Sequence, residues 1–434
     1  MKLLTDKEYL GITIPFMLST MTQPLMGAVN TAVMGQLAEP KYIAAVSLGA
    51  ILFNNLYWLF GFLRVSTTGY AAQAFGAQDE RLSMLAFFKP LVLAILVASL
   101  CVILQTPIVD AYLATIRPAA DVAELCREYF YILIWGAPLV LFNYVALGWL
   151  MGQTRIRASV FMQVSMNVLN MFLSVWFVFY WHYDIEGVAW ATLLSQIYGG
   201  IVGAALMYHF GRFNLSKLPK NELVDWHTFV SMLKVNSNLM IRTACLLCVN
   251  NIVAAVGASL GTIYLAVNAV LIQIKDIISF LIDGMANGTA IFVGKAVGER
   301  SLDLLKESIR MALKWLAAFT VFSMSVYYWG NSFFISLFTD NMAVIQLAQN
   351  YNVFVLLYPL LAGVGILLYG AFCGATYTAP IRDMMLIALV LFYGAQYFLV
   401  PSWGNTGLWI AYLVFRITQS IVLWLYLPKI RSRL

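Results

Sequence analysis

The residues with chemistry to do are the polar and charged side chains inside long apolar runs. Asn167, Asn170 and Ser174 are spaced i, i+3 and i+7, so they share one face of a helix, and Gln163 extends that stripe by a turn. A polar face in a membrane helix is either glue between helices or the wall of a cavity, and we favour the cavity. Asn30 stands in the first apolar run, with Asn167, Asn170, Ser174 and Thr192 as its expected partners. On spacing alone, Asn30 reads as an ordinary interhelical hydrogen-bonding side chain. A second group, Lys275, Ser279 and Asp283, recurs at i, i+4 steps, with Arg242, Asp276, Arg416 and Arg64 as the other charges at membrane depth. It could form an ion or substrate site in the second half, or a set of neutralised pairs that holds the helices together. Lys275 and Asp276 are sequence neighbours and point apart on a helix, so no direct pair is expected between them. Pro15 and Pro24 lie inside the first run, where a missing backbone hydrogen bond allows a kink or hinge.

Other chemistries find no support in the sequence. His182, His209 and His227 are far apart and fall at loops or helix ends. There is no His/Asp/Glu cluster with metal spacing, no P-loop and no nucleophile elbow. We therefore expect no catalytic residue, no metal, no cofactor and no enzyme activity. Without a P-loop, energy for transport would come from an ion gradient. Cys245-x-x-Cys248 has redox or metal spacing but lies in an apolar run without further ligands, and reads as small packing residues.

The elements that position these residues follow from composition. Hydrophobic residues make up 62% of the 434 and charged residues 11%, with a mean hydropathy of +0.82. That leaves too little polar surface for a soluble globule and too much apolar content for disorder. Apolar runs near 9–36, 42–68, 87–106, 126–150, 156–181, 186–209, 229–258, 262–287, 307–329, 344–373, 380–402 and 406–427 read as transmembrane helices. Thr67-Thr68-Gly69 reads as a break at the inner end of the second, with Arg64 fixing that end. The first run is long and broken by prolines, unlike the short core of a cleavable signal. With the N-terminus inside, nineteen of the 26 basic residues fall on the inner side and only Lys41, Arg117 and Arg127 outside. This bias places both termini in the cytoplasm. It also explains the net charge of +6 without nucleic acid, for which no soluble basic face exists.

The two halves are related by an offset of 222 residues. Gly76 aligns with Gly298, Gly148 and Gly152 with Gly370 and Gly374, and Thr154 with Thr376, while Gly187 and Gly407 differ by 220. The expected fold class is an all-α polytopic membrane protein with twelve transmembrane helices in two pseudo-symmetric six-helix lobes. Residues 1–210 would form the N-terminal lobe, 211–228 a cytoplasmic linker and 229–434 the C-terminal lobe. Such parallel repeats suit alternating access around a site between lobes better than a channel, which would show a filter segment or an oligomeric ring.

One stretch resembles a known family. Gly61-Phe62-Leu63-Arg64-Val65-Ser66-Thr67-Thr68-Gly69-Tyr70-Ala71-Ala72-Gln73-Ala74-Phe75-Gly76 looks like the helix-2 signature of multidrug and toxic compound extrusion (MATE) transporters, in their DinF-like branch. Pro24-Leu25 with Asn30-Thr31-Ala32-Val33-Met34-Gly35 resembles the family's first-helix pattern. Gly148-Trp149-Leu150-Met151-Gly152, Asn167-Val168-Leu169-Asn170, Gly187-Val188-Ala189-Trp190-Ala191-Thr192 and Leu281-Ile282-Asp283-Gly284-Met285-Ala286 resemble further family elements, in order along both halves. The resemblance implies a MATE-like fold and cation-coupled export of amphipathic, often cationic or aromatic small molecules. It implies H+ or Na+ as coupling ion, a monomer in the lipid bilayer of the bacterial inner membrane, and no nucleic-acid partner.

The sequence departs from the family where charge is expected. Asn30 stands where the family has an Asp, Ser174 where it has an acid on helix 5, and Ala290 where the branch often has a Glu. Asn cannot titrate but is nearly isosteric with a protonated Asp. With the resemblance, Asn30 becomes the coupling position, held in a mimic of the protonated state. The alternatives are a Na+-coupled exporter of the same family or a lipid-linked precursor flippase of related topology. A flippase would call for a more cationic cavity than these residues suggest.

Overall fold

The computed structural model describes residues 4–34, 40–181, 183, 185–211 and 225–434. It contains the helices α1 (Asp6–Met34), α2 (Pro40–Phe60), α3 (Phe62–Ala77), α4 (Glu80–Ile103), α5 (Gln105–Ile116), α6 (Ala120–Leu133), α7 (Ala137–Gly152), α8 (Ile156–Phe179) and α9 (Ile185–Gly211). The second half adds α10 (Trp226–Leu260), α11 (Thr262–Gly298), α12 (Leu302–Ser336), α13 (Met342–Gln349), α14 (Asn352–Gly374) and α15 (Ala379–Tyr426). Most of the expected linker and the side chain of Asn30 lie outside the described residues.

Helix ends follow local rules. Gln78 takes a left-handed conformation (φ 53°) and ends α3. The Asp79 carboxylate then accepts from the Arg81 and Leu82 amides at 2.8 and 3.1 Å and starts α4. The expected break at Thr67-Thr68-Gly69 is not there. α3 runs on to Ala77, because its packing against α4 and α7 outweighs the weak helix propensity of one glycine.

Ten helical segments among the described residues are long and apolar enough to cross a membrane. The last is too long for one pass. α15 has 48 residues, about 70 Å at 1.5 Å per residue, against a bilayer of about 40–45 Å. It contains Pro401 and breaks at Gly404, whose φ of 53° and ψ of −129° are not helical. That break gives two passes, as the runs 380–402 and 406–427 suggest. With the 29 residues of α1, the described residues make twelve passes.

The chain divides into two compact units, Met21–Met232 and Met1–Thr20 with Leu233–Leu434. The boundary expected at 210 leaves all of α1 in the first half. By contact, the start of α1 instead belongs with the C-terminal half, because glycines of α11 receive it. A Cβ on Gly284 would lie 2.5 Å from Met17 Cα, and one on Gly288 would lie 2.7 Å from Thr13 Oγ1. Thr20 Oγ1 donates to the Phe280 carbonyl at 2.8 Å. Pro15 and Pro24 both lie within helical α1, on opposite sides of the division at Thr20.

The repeat is visible in the packing. In one unit α3 packs on α7, and in the other α11 packs on α14. A Cβ on Gly148 would sit 2.5 Å from the Arg64 carbonyl oxygen, and one on Gly152 would sit 2.7 Å from that of Thr68. Gly370 and Gly374 face the carbonyl oxygens of Ala286 and Ala290 in the same way. Every residue here has its counterpart 222 positions on. Left-handed turns repeat at the same offset, at Gln78 and Arg300 and at Thr154 and Thr376.

Candidate functional site

The expected polar stripe on α8 is buried within the N-terminal unit. Gln163, Asn167, Asn170 and Ser174 are all 7% exposed or less. Asn167 Nδ2 donates to Thr22 Oγ1 on α1 at 2.7 Å. Asn170 Nδ2 reaches Thr192 Oγ1 at 3.2 Å and Ser195 Oγ at 3.4 Å, both on α9. The stripe therefore joins α8 to α1 and to α9. Ser174 Oγ is buried with no hydrogen-bond partner among the described residues. Asn30 lies eight residues beyond Thr22 on α1, about 12 Å along the axis, with its side chain outside the described residues. No Asp or Glu is buried among the described residues, so this network is neutral. Asn143 of α7 makes a separate polar contact with α9, donating to Gln196 Oε1 at 3.2 Å.

The C-terminal unit holds the charged cluster. Lys275 Nζ lies 2.7 Å from Asp276 Oδ1, which corrects the expectation that these neighbours would not pair. Their Cβ atoms do point apart, but the four-carbon stem of lysine can fold back along the helix. Lys275 Nζ also donates to Tyr412 Oη at 2.9 Å. Ser279 Oγ lies 2.7 Å from Tyr358 Oη, so the structure brings Lys275 and Ser279 to one aromatic pocket. Arg416 joins them, donating from Nε and Nη2 to Tyr412 Oη at 3.1 and 2.8 Å. Arg242 instead stacks on the Tyr369 ring at 3.7 Å. The cluster around Lys275 thus takes in Ser279, while Arg242 lies against a different ring.

Sequence spacing missed Tyr358, Tyr412 and the Asn268–Asn405 pair. Asn268 and Asn405 exchange hydrogen bonds at 2.7 and 3.0 Å, and Trp409 Nε1 donates to Asn268 Oδ1 at 2.9 Å. One signal was present. Asn268 and Lys275 are seven residues apart on α11, as are their partners Asn405 and Tyr412 on α15. Two helical turns on one helix thus meet two turns on a parallel neighbour.

The MatE family model matches residues 15–176 and 239–398. The chain belongs to this family. The MATE family is one of multidrug efflux transporters in the membrane. DNA damage-inducible protein F of Escherichia coli is 32% identical to this MATE chain over 421 residues, which cover 96% of it and 91% of that protein. A probable multidrug resistance protein NorM of Photorhabdus laumondii is 22% identical over 449 residues, covering 98% of this chain and 96% of that one. Among solved structures, an outward-facing multidrug resistance MATE family transporter of the MOP superfamily matches with a TM-score of 0.88. It is 22% identical, with 99% of this chain and 96% of that chain covered. The resemblance carried by Gly61 to Gly76 is borne out, as is the all-helical, two-repeat fold. Among the described residues no His, Cys, Asp and Glu cluster could hold a metal, and all five cysteines are free.

Proposed function

We propose that this MATE chain exports amphipathic small molecules across the bacterial inner membrane, as a monomer, by alternating access driven by a cation gradient. The proton is the favoured coupling ion and sodium the nearest variant. Both termini are cytoplasmic, as the distribution of basic residues indicates. No resident cofactor is involved.

In this reading Asn30 occupies the coupling position. The Asn167–Thr22 hydrogen bond carries the assignment, because it couples the α8 polar face to the helix that bears Asn30. A titrating group at position 30 would add or remove charge on the helix that hydrogen-bonds to a neutral, buried network. Burial penalises such a charge strongly unless a partner appears, so each protonation change would favour a different arrangement of α1. Asn30 removes that step and holds the network in the form that a protonated acid would give. Pro15 and Pro24, on either side of Thr20, let the two parts of α1 respond separately.

The test is dye efflux from right-side-out membrane vesicles at set proton and sodium gradients, comparing the chain with its Asn30→Asp variant. We expect Asn30→Asp to raise proton-driven efflux. Equal efflux from both forms under every gradient would remove Asn30 from the coupling site, and no efflux from either would remove the export reading itself.

A further inference from the structure

One oxygen in the C-terminal unit receives three N–H donors. Tyr412 is 5% exposed. Its Oη accepts from Lys275 Nζ at 2.9 Å and from Arg416 Nε and Nη2 at 3.1 and 2.8 Å. A phenol oxygen has two lone pairs and a proton of its own, which needs an acceptor. A phenolate oxygen has three lone pairs and no proton. Three arriving donors fit the second form, and among the described residues Tyr412 Oη makes no hydrogen bond in which it donates. Tyr358 is the contrast, its ring stacked 6.4 Å from that of Tyr412. Ser279 Oγ spends its proton on the Lys275 carbonyl at 3.1 Å. The Ser279 oxygen is then left to accept, and the Tyr358 hydroxyl donates to it at 2.7 Å. Tyr358 therefore keeps its proton, while Tyr412 has nowhere to place one.

The charge balance agrees. Lys275 is 3% exposed and Arg416 9%. Asp276, 2.7 Å from Lys275 Nζ, is the one carboxylate within bonding distance of either among the described residues. The remaining Arg416 bond goes from Nη1 to the neutral Gln419 Oε1 at 3.3 Å. With Tyr412 as a phenol, two buried cations would face one carboxylate, and a surplus charge inside a membrane protein is costly. With a phenolate, two cations face two anions. The charged and titratable groups around Tyr412 are thus Lys275 and Asp276 of α11, Tyr358 of α14 and Arg416 of its own helix.

We propose that Tyr412 is a phenolate held by Lys275 and Arg416, and that its oxygen is a proton-binding site of the C-terminal unit. On uptake, the Lys275 ammonium passes one proton to Tyr412 Oη and keeps the electron pair on Nζ. A proton from water then replaces it by way of Asp276, whose side chain is 40% exposed. The net change is one proton gained, an O–H bond formed and one unit of positive charge added. The new phenol can no longer hold three donors, so the contact between α11 and α15 must rearrange. This deepens the export reading by supplying a proton carrier that Asn30 cannot be. It rests on that reading only for what the proton drives.

The experiment is carbon-13 NMR of the purified full-length chain in detergent, labelled at tyrosine Cζ, whose resonance separates phenol from phenolate. We expect one of the 23 tyrosines to resonate as phenolate at neutral pH, and to convert to phenol on acidification. Tyr412→Phe should delete that resonance. Arg416→Gln removes one of the two cations and should lower the ionised fraction at least about tenfold, the effect of losing one close opposite charge. Arg416→Lys should keep the phenolate. The proposal is overturned if the unaltered chain shows no phenolate at neutral pH, or if the resonance survives Tyr412→Phe or Arg416→Gln. Should Tyr412→Phe fail to fold, loss in Arg416→Gln with retention in Arg416→Lys makes the assignment. Failure of dye efflux would sink the export reading and leave this resonance untouched. A spectrum with phenols alone would sink this inference and leave export standing.

Discussion

A close backbone contact in the N-terminal unit makes a sharp prediction about stability. A Cβ at residue 148 would lie 2.5 Å from the Arg64 carbonyl oxygen and 2.9 Å from Thr67 Cβ. Ordinary contact begins near 3.4 Å, so Gly148→Ala needs α3 and α7 to part by about 0.9 Å. The obstruction is helical backbone, which cannot rotate aside as a side chain can. A gap of that size forfeits a quarter to a half of each dispersion contact along the seam, and overpacking of this kind costs about 1–3 kcal/mol. We take about 2 kcal/mol, or a Tm lower by roughly 2 °C for a chain of this size.

The seam also predicts how variants combine. Gly152→Ala meets the Thr68 carbonyl at 2.7 Å and Ala71 Cβ at 2.5 Å, and the same parting of α3 from α7 relieves it. The double variant should therefore cost little more than either single one, because neighbours in one contact are not additive. Gly148→Ala with Gly370→Ala should instead add, since the two glycines lie in separate units. Gly394→Ala is the control. It has open space within 4 Å and lies inside α15, so alanine should be neutral or gain up to about 1 kcal/mol. Thermal unfolding of the purified chain in detergent measures all five forms. A Gly148→Ala chain as stable as Gly394→Ala would refute the close-packed seam.

Two further outcomes follow from single contacts. Asn268→Ala strands the Asn405 amide and the Trp409 indole and should cost about 1–2 kcal/mol, at the upper end for polar pairs in membrane helices; an unchanged unfolding midpoint would show that the pair is not structural. Asp6 is held below the usual carboxylate range by hydrogen bonds from Lys314 and then Trp315, which donate to its oxygens at 2.8 to 2.9 Å. Its contribution is therefore complete above the ordinary carboxylate pKa and is lost as pH falls through the lowered folded value. Asp6→Asn should lower Tm slightly at neutral pH, and the two forms should converge in strong acid. A difference that stays constant down to that acid would contradict the pairing.

What was legible in the sequence was set by local rules and by repetition. The polar stripe from Gln163 to Ser174 was legible because 3.6-residue periodicity alone places those residues on one face, and burial then follows from apolar neighbours. The offset of 222 was legible because a backbone contact tolerates only glycine, so Gly148, Gly152, Gly370 and Gly374 each mark the seam. Neighbours brought together by tertiary packing were not legible. Tyr412 lies 137 residues from Lys275, and no local rule says that a phenol oxygen will receive both Lys275 and Arg416. The Lys275–Asp276 pair failed for a related reason, since helical phase describes Cβ directions and says little about the end of a flexible four-carbon stem. The membership of α1 was hidden as well. Hydropathy sees one apolar run from residue 9 to 36, while contacts divide it at Thr20, because α11 offers small residues at Gly284 and Gly288 to its first part and α8 offers Asn167 to Thr22 in its second. A helix held by different partners along its length, with a proline in each part, is where a change near residue 30 would act.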